Sequence, residues 1–546
     1  MRAVPDPELG STAGRAATVT APDRFRFAAK AVLPAPRAGT EVWGRKPGGG
    51  LPKGGEGGTI RLAGGGAPVA GYSCASRRVT RVLEPSGGPV HFIGIGGAGM
   101  SPLAELLLAR GFGVSGSDVR ASAITQRLVE HGARVRIGHA AEALDGATTV
   151  ICSTAIRPDN PELLAARARG LRVLHRSELL GELLAGRHPI AVAGTHGKST
   201  TSGMIATVLT EAGLDPTAIV GAEVRSLGGH HRIGAGQHFV LEACESDGSF
   251  LNYPGCSQVV TSLEPDHLDQ HHTFDNLREA FRRFVAQGRP DGFLVYCADS
   301  AEVRELARLA PGKAVSYGKQ AGADFRVEHV EYGIRGTPGT AFDLRFGDGD
   351  GRRLVLRVPG EHNALNAAAA FAAALQVGVT PEAAIRGLST FRGIGRRFEV
   401  LFEDDGRLVV DDYAHHPTEI RAALDTASVA WPGRVIAVFQ PHLFSRTQLL
   451  MEGFAHAFHG AHEVIIAEIY PAREDPIPGV TGERLADAVR AAEPEGNVRF
   501  LPTKEAIVED LGSRVTAGDM VLVMGAGDIR EVGETLAAEL RQRGSA

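Results

Sequence analysis

Residues 189–203 read Pro-Ile-Ala-Val-Ala-Gly-Thr-His-Gly-Lys-Ser-Thr-Thr-Ser-Gly. The apolar run at 190–193 has the length of a buried strand, and Lys198 opens a helical pattern. Between them stands Gly194-Thr195-His196-Gly197-Lys198-Ser199-Thr200, a phosphate loop one glycine short of the full form because Val192 occupies the position of its first glycine. The physical demands of such a loop are met. Glycine amides cradle phosphate oxygens, a lysine reaches the β- and γ-phosphates, and a hydroxyl faces Mg²⁺. A strand, a phosphate loop and a helix in that order predict an α/β sheet and a user of nucleoside triphosphates.

Outward from this stretch, short apolar runs alternate with helical patterns, as in parallel sheets covered on both faces. The runs fall at 90–95, 113–118 and 149–153, then at 190–193, 238–243, 258–262 and 292–296, then at 408–412, 434–440, 463–469 and 520–524. Residues 325–358 alternate like antiparallel strands and predict a side sheet. Joints are expected near 186–189 and 391–395, giving domains at 89–187, 188–390 and 391–546. A second loop, Gly94-Ile95-Gly96-Gly97-Ala98-Gly99, follows the first run, with Ser117 and Asp118 ending the next. It reads as a diphosphate-binding turn on a helix N-terminus or as glycines that permit tight packing, and spacing does not separate NAD from another diphosphate.

Polar clusters recur after predicted strands. Glu245 in EACESDGSFL (242–251) and His267 in LEPDHLD (263–269) can converge on phosphates held by Lys198. His267 with His271 also has zinc-pair spacing, which the lack of a third spaced ligand disfavours. Asn363 in PGEHNALNA (359–367) reads equally as an adenine contact or a helix cap. The joint carries Arg396 and Arg397, and the last third carries Asp412 and His416 in DDYAHHPTE (411–419) and Arg446 in QPHLFSRT (440–447).

Composition excludes other classes. The chain has 546 residues, too many for one core, and a net charge of −5. The first 88 residues are basic, at +7, and hold 17 of the 70 glycines, whereas the remaining 458 sum to −12. Residues 1–88 are therefore expected to be a disordered extension. It reads as a regulatory or localising segment, a transit peptide, or the product of a start placed too far upstream. Asp6, Glu8 and Asp23 count against a transit peptide, and the absence of hydrophobic periodicity favours the upstream start. The five cysteines are odd in number and lack metal spacing. No apolar run reaches the ~18–20 residues of a membrane span, and an acidic body disfavours nucleic acid. A cytoplasmic protein with no membrane insertion is expected.

The ordered series HFIGIGGAGMS (91–101), GTHGKSTTSG (194–203), EACESDGSFL, LEPDHLD, PGEHNALNA, GIGRRFE (393–399), DDYAHHPTE, QPHLFSRT and YPAREDPIPG (470–479) resembles the Mur ligase family from residue 90 to the C-terminal region. The resemblance implies three domains: a Rossmann-like UDP-binding domain, a P-loop ATPase-like central domain and a Rossmann-like C-terminal domain. It implies an ADP-forming ligase using ATP and Mg²⁺, with the glycine loop taking a uridine diphosphate in place of NAD through Gly94, Gly96, Gly97, Gly99, Ser117 and Asp118. Within the family the first motif and DDYAHHPTE favour addition of L-alanine to the lactyl carboxylate of UDP-N-acetylmuramate, through an acyl phosphate, over addition of a tripeptide. It further implies that Gly194, Thr195, His196, Gly197, Lys198, Ser199, Thr200, Asn363, Arg397 and Asp412 meet ATP. Ser199 and Glu245 would hold one Mg²⁺ and His267 would help hold a second, and Lys198, His267, His416 and Arg446 would serve the reaction, His416 as one possible base. Some members carry a carbamylated lysine after the histidine motif; residues 276–287 contain no lysine, so that device is expected to be absent.

Overall fold

The computed structural model describes residues 83–544 apart from 335, 336, 348, 405, 473, 494 and 495. The expected extension lies outside the described residues as far as position 82. Its last residues are ordered, contrary to the expectation for 1–88: Pro85–Gly87 form a single 3₁₀ turn, and Thr148 Oγ1 donates to the Gly87 carbonyl at 2.9 Å.

Three sheets follow in chain order. The first has five parallel strands in the order Arg134–Ile137, Val114–Asp118, Val90–Ile93, Thr149–Cys152, Arg172–His175. The order reverses at Val90–Ile93, so the glycine loop that follows it opens at the switch point where doubly wound sheets take ligands.

The second sheet has ten strands. Its parallel heart runs Lys313–Gly318, Phe293–Cys297, Ser257–Val260, His188–Ala193, His238–Glu242, Thr217–Val224, with Gly229–Arg232 pairing antiparallel at one edge. Strands Phe325–Ile334, Thr337–Phe346 and Asp350–Leu356 are antiparallel, as their alternation predicts. They do not form a separate side sheet. Tyr317 and Gly318 pair with Phe325 and Arg326, so the hairpins extend the same sheet. The central strand His188–Ala193 is buried from Pro189 onward and carries the phosphate loop. The Ala-rich helix Glu361–Gln376 packs on helix Lys198–Glu211, its small residues allowing the close approach.

The third sheet runs Glu399–Asp404, Arg407–Asp412, Asp519–Met524, Arg434–Phe439, Glu463–Ile466, Asn497–Phe500; only the first pair is antiparallel. The turn between the second and third sheets lies later than 391–395. Val224 bridges Ile394, Arg225 N donates to Gly393 O at 3.2 Å, and Gly395 N donates to Glu223 O at 2.8 Å, which ties that stretch to the second sheet. Arg396 (φ 59°) and Phe398 (φ 45°) make the turn in left-handed geometry. Glu399 receives the Arg396 amide at 2.7 Å and Arg225 Nη2 at 2.6 Å, and Asp412 receives the Phe398 amide at 2.8 Å.

Candidate active site

The strand order sets the site. His188–Ala193 lies between His238–Glu242 and Ser257–Val260, so the chain leaving each neighbour arrives on either side of the phosphate loop. Glu245 comes from one side, and Glu264, Asp266 and His267 from the other.

Gly194 has φ 136°, and a Cβ there would meet Thr261 Oγ1 at 2.1 Å; Gly197 has φ 79°, and a Cβ would meet Asn366 Oδ1 at 2.5 Å. Both positions are closed to a side chain on two counts. Thr195 is buried; its hydroxyl receives the Glu264 amide at 2.9 Å and lies 3.3 Å from the Glu264 carbonyl. The Lys198 ammonium donates to Gly194 O at 2.6 Å, Thr195 O at 3.1 Å and Glu245 Oε1 at 2.8 Å. Burial would lower its pKa, but the Glu245 charge outweighs burial and holds the amine protonated far above neutrality. Ser199 and Thr200 are half-buried in the first turn of helix Lys198–Glu211.

Glu245 is 1% exposed, and its Oε2 has no hydrogen-bond partner among the described residues. His267 has φ 53° and its Nε2 stands 4.0 Å from Glu245 Oε1; burial lowers its pKa and keeps the ring neutral. Glu245 and His267 thus face one another beside Lys198, which opens the helix that also carries Ser199. His271 is not His267's partner: its Nε2 bonds the Glu245 carbonyl at 2.8 Å. Asn363 caps nothing; the cap is Gly360, while Asn363 Nδ2 donates to Pro359 O at 2.7 Å and its Oδ1 receives Asn366 Nδ2 at 3.3 Å. Asn366 in turn accepts from Thr201 at 3.2 Å, so the pair ties the Ala-rich helix to the phosphate-loop helix.

The C-terminal domain closes over this loop through three polar contacts. Arg446 donates to Asp266 Oδ1 from Nη2 at 2.9 Å and from Nε at 3.1 Å. Burial would raise the Asp266 pKa, but Arg446 holds it far below the usual carboxylate range. Thr418 Oγ1 donates to Glu264 Oε2 at 2.7 Å. His196 Nδ1 lies 3.3 Å from Glu419 Oε1 and its Nε2 3.5 Å from Glu264 Oε2. Burial opposes a charged His196, yet the Glu264 and Glu419 carboxylates prevail and raise it to about 9. Beside it His196 brings Glu264 down to about 2.

The DDYAHHPTE cluster is packed around these contacts. His416 caps helix Pro417–Ala430 through the Thr418 amide at 3.3 Å, and burial lowers its pKa, leaving Nε2 buried with no partner among the described residues. Burial pushes His415 down to about 3. Asp412 spends both oxygens on backbone amides, Oδ2 on Phe398 and Oδ1 on Ala414, each at 2.8 Å; burial raises it to about 6 against the pull of Arg397. Arg397 reaches Glu419 at 3.4 Å and lies over Tyr413. Glu264, Asp266, Asn366 and Glu419 were not singled out from sequence, although each sits inside a quoted motif; only tertiary pairing gives them roles.

In the first domain Gly94 has φ 78°, and Gly94 and Ile95 both donate to Ser117 O, at 2.8 and 2.9 Å. Asp118 Oδ2 accepts the Gly96 amide at 2.9 Å, so that donor is already engaged by a carboxylate. Gly97 approaches the Gly94 carbonyl, and Gly99 faces Arg176, which stands 3.8 Å from Asp247 of the central domain. The Ser117 side chain turns away from the loop mouth: it is fully buried and donates to Glu162 at 2.7 Å within a network that includes His91 and His139.

Known proteins resemble this chain in sequence and fold. Three blocks match Mur ligase descriptions: "Mur ligase family, catalytic domain" over residues 89–188, "Mur ligase middle domain" over 192–374 and "Mur ligase, glutamate ligase domain" over 396–527. The UDP-N-acetylmuramate--L-alanine ligase of Kineococcus radiotolerans is 49% identical over 465 residues, covering 84% of this chain and 97% of that protein. The protein of that name from Renibacterium salmoninarum is 48% identical, covering 82% and 95%. The crystal structure of UDP-N-acetylmuramate-alanine ligase from Thermotoga maritima superposes with a TM-score of 0.69 at 27% identity, covering 84% of this chain and all of that one. On three matched blocks and near-half identity along almost the full length of these relatives, the chain belongs to the Mur ligase family.

Proposed function

We propose that this chain joins L-alanine to the lactyl carboxylate of UDP-N-acetylmuramate with conversion of ATP to ADP and phosphate, in the assembly of peptidoglycan precursors. The observation that carries this reading is the phosphate-loop lysine enclosed between Glu245 and the His267 loop, with Arg446 of the third domain docked onto Asp266 beside it, in a chain 48–49% identical to relatives of that name. In this reading 89–187 binds the sugar nucleotide, 188–395 binds ATP, and the residues from 396 onward close on ATP and the amino acid.

The lactyl carboxylate oxygen attacks the γ-phosphorus and ADP leaves, giving an acyl phosphate; the alanine amine attacks the acyl carbon and phosphate leaves. The first step brings two anions together, which at 4 Å and an effective dielectric of about 20 costs roughly 4 kcal/mol per pair of unit charges. Lys198 answers that repulsion from a position fixed before substrate arrives, because its ammonium is already held by two loop carbonyls. Ser199, Glu245 and His267 suit Mg²⁺, since Glu245 Oε2 is a buried oxygen with no partner among the described residues. When bound, the ion neutralises charge on the β- and γ-phosphates. The three contacts from the third domain keep water from the acyl phosphate. His416 is neutral because it is buried, and its Nδ1, which takes the Thr418 amide at 3.3 Å when no substrate is bound, is the nitrogen with a lone pair for the alanine ammonium proton. No described helix is long and apolar enough to cross a membrane, and the nucleotide substrates support a cytoplasmic site of action.

Phosphate release by the full chain with ATP and UDP-N-acetylmuramate, against a panel of amino acids and the murein tripeptide, tests this. Alanine dependence is expected. Tripeptide dependence would assign the chain to peptide recycling, and release independent of any acceptor would make it a nucleotide-binding module. Selection should be imperfect between alanine and glycine, because a methyl group supplies only about 1–3 kcal/mol.

A further inference from the structure

One donor set next to the phosphate loop is unlike the oxygen-rich space around Glu245. A ring nitrogen of His196, a ring nitrogen of His416 and a carboxylate oxygen of Glu264 all lie within 4.8 Å of one another. The imidazole centroids are 4.9 Å apart, and Glu264 Oε2 stands 3.5 Å from His196 Nε2 and 4.0 Å from His416 Nδ1. His196 Nε2 is buried without a hydrogen-bond partner among the described residues, and His416 offers the Nδ1 that otherwise takes the Thr418 amide at 3.3 Å. His416 as a whole is 5% exposed. Outer contacts orient the donors: Glu419 takes Nδ1 of His196, leaving Nε2 facing Glu264, and Thr418 fixes Glu264 Oε2 at 2.7 Å. A carboxylate behind an imidazole whose other nitrogen faces the ion is the usual outer shell of a metal-binding histidine.

We propose that His196, Glu264 and His416 form a binding site for a zinc-type transition dication, separate from the Mg²⁺ space of Ser199, Glu245 and His267. Two imidazoles and one carboxylate suit Zn²⁺ or Co²⁺ with a fourth position open, whereas Mg²⁺ prefers an all-oxygen shell and keeps its water. The Glu264 side chain is 36% exposed, which leaves an entry path and room for the fourth ligand. Glu264 and Glu419 supply two negative charges for the dication, which takes the place of the proton that His196 holds in its absence. Because His196 and Glu264 belong to the central domain and His416 to the C-terminal one, the ion links the two domains in the closed arrangement. It also withdraws His416 from proton transfer, a consequence that rests on the ligase reading above and makes the ion inhibitory.

Co²⁺ added to the nucleotide-free full chain in excess Mg²⁺ tests the site. One equivalent should bind with the intense visible bands of four- or five-coordinate Co²⁺. Glu264→Gln and His416→Ala should weaken binding more than tenfold, Glu419→Gln about tenfold, and Glu245→Gln should leave it unchanged. Bands that survive His416→Ala, or that vanish in Glu245→Gln, would overturn the proposal, as would an absence of binding. X-ray absorption at the zinc edge of the unaltered protein reads the shell without any variant: two imidazoles are expected, and none or one would refute it. None of these readouts depends on ligase turnover, so failure of the functional reading and failure of the site are separable.

Discussion

Arg446 donates twice to a single oxygen of Asp266, at 2.9 and 3.1 Å, and both side chains are at least nine-tenths buried although they belong to different domains. A buried pair of this kind adds little net stability, but halving it leaves an unpaired buried charge, at a cost of about 3–5 kcal/mol. Asp266→Ala should therefore undock the C-terminal domain and lower kcat/KM at least about 100-fold, the factor that 3 kcal/mol represents at ~1.4 kcal/mol per decade. In urea unfolding, Asp266→Ala with Arg446→Met should be more stable than Asp266→Ala alone. Equal midpoints would show that the charge is not stranded.

Lys198 is held by Gly194 O, Thr195 O and Glu245, so its removal deletes a placed positive charge at the phosphates. Lys198→Ala should lower phosphate release by about three powers of ten, the rate equivalent of ~4 kcal/mol of unanswered repulsion. Turnover near the unaltered rate would remove this loop from the chemistry.

Gly197 and Gly378 share positive φ, 79° and 86°, but a Cβ at Gly197 meets Asn366 Oδ1 at 2.5 Å while one at Gly378 meets nothing within 4 Å. Gly378→Ala should cost only the left-handed backbone penalty, roughly 1–2 kcal/mol. Gly197→Ala should cost that and also displace Asn366, weakening ATP binding more than tenfold by calorimetry. Similar ATP affinity in the two variants would mean that the Asn366 contact does not shape the loop.

His196 is raised from 6.5 to about 9 by Glu264 and Glu419, against burial. Folding thus favours its protonated form. The associated stabilisation, on the order of 3 kcal/mol, is fully present below pH 6.5 and is lost as pH rises through about 9. The thermal midpoint of the nucleotide-free protein should fall between pH 6.5 and 9, and His196→Gln should flatten that limb. An unchanged slope in the variant would place the titration elsewhere.

The buried parallel strands were legible because each is an unbroken apolar run: 190–193 lies within His188–Ala193, and 520–524 within Asp519–Met524. Edge strands were not. Arg134–Ile137 is largely exposed, and Gly229–Arg232 is Gly-His-His-Arg, so neither carries a burial pattern to read. Lys198, Glu245 and His267 could be placed together because each lies just past a predicted strand, where the C-terminal ends of a doubly wound sheet meet. The roles of Asp266, Glu264 and Glu419 could not, since each depends on a side chain more than 150 residues away in sequence: Arg446, Thr418 and His196. The joint lies later than its two glycines for a similar reason. Two glycines marked 391–395 as the bend, whereas pairing to Glu223 and Arg225 holds them and the turn falls on Arg396 and Phe398.

Asp412 offers the sharpest separation of two roles. The family resemblance implies contact with the nucleotide, yet both carboxylate oxygens accept backbone amides, one from Phe398 in the left-handed turn and one from Ala414 ahead of His416. Asp412→Asn turns one acceptor into an NH₂ that faces an N–H, a cost of about 1–3 kcal/mol borne by the joint. If the carboxylate fixes the joint, the closed arrangement becomes less populated: kcat should fall about 5- to 100-fold with little change in the KM for ATP. If it holds the nucleotide directly, KM should rise instead, and titration of ATP into the variant should show the same loss of affinity. Steady-state kinetics at saturating UDP-N-acetylmuramate and L-alanine decide between them, and the engagement of both oxygens predicts the first outcome.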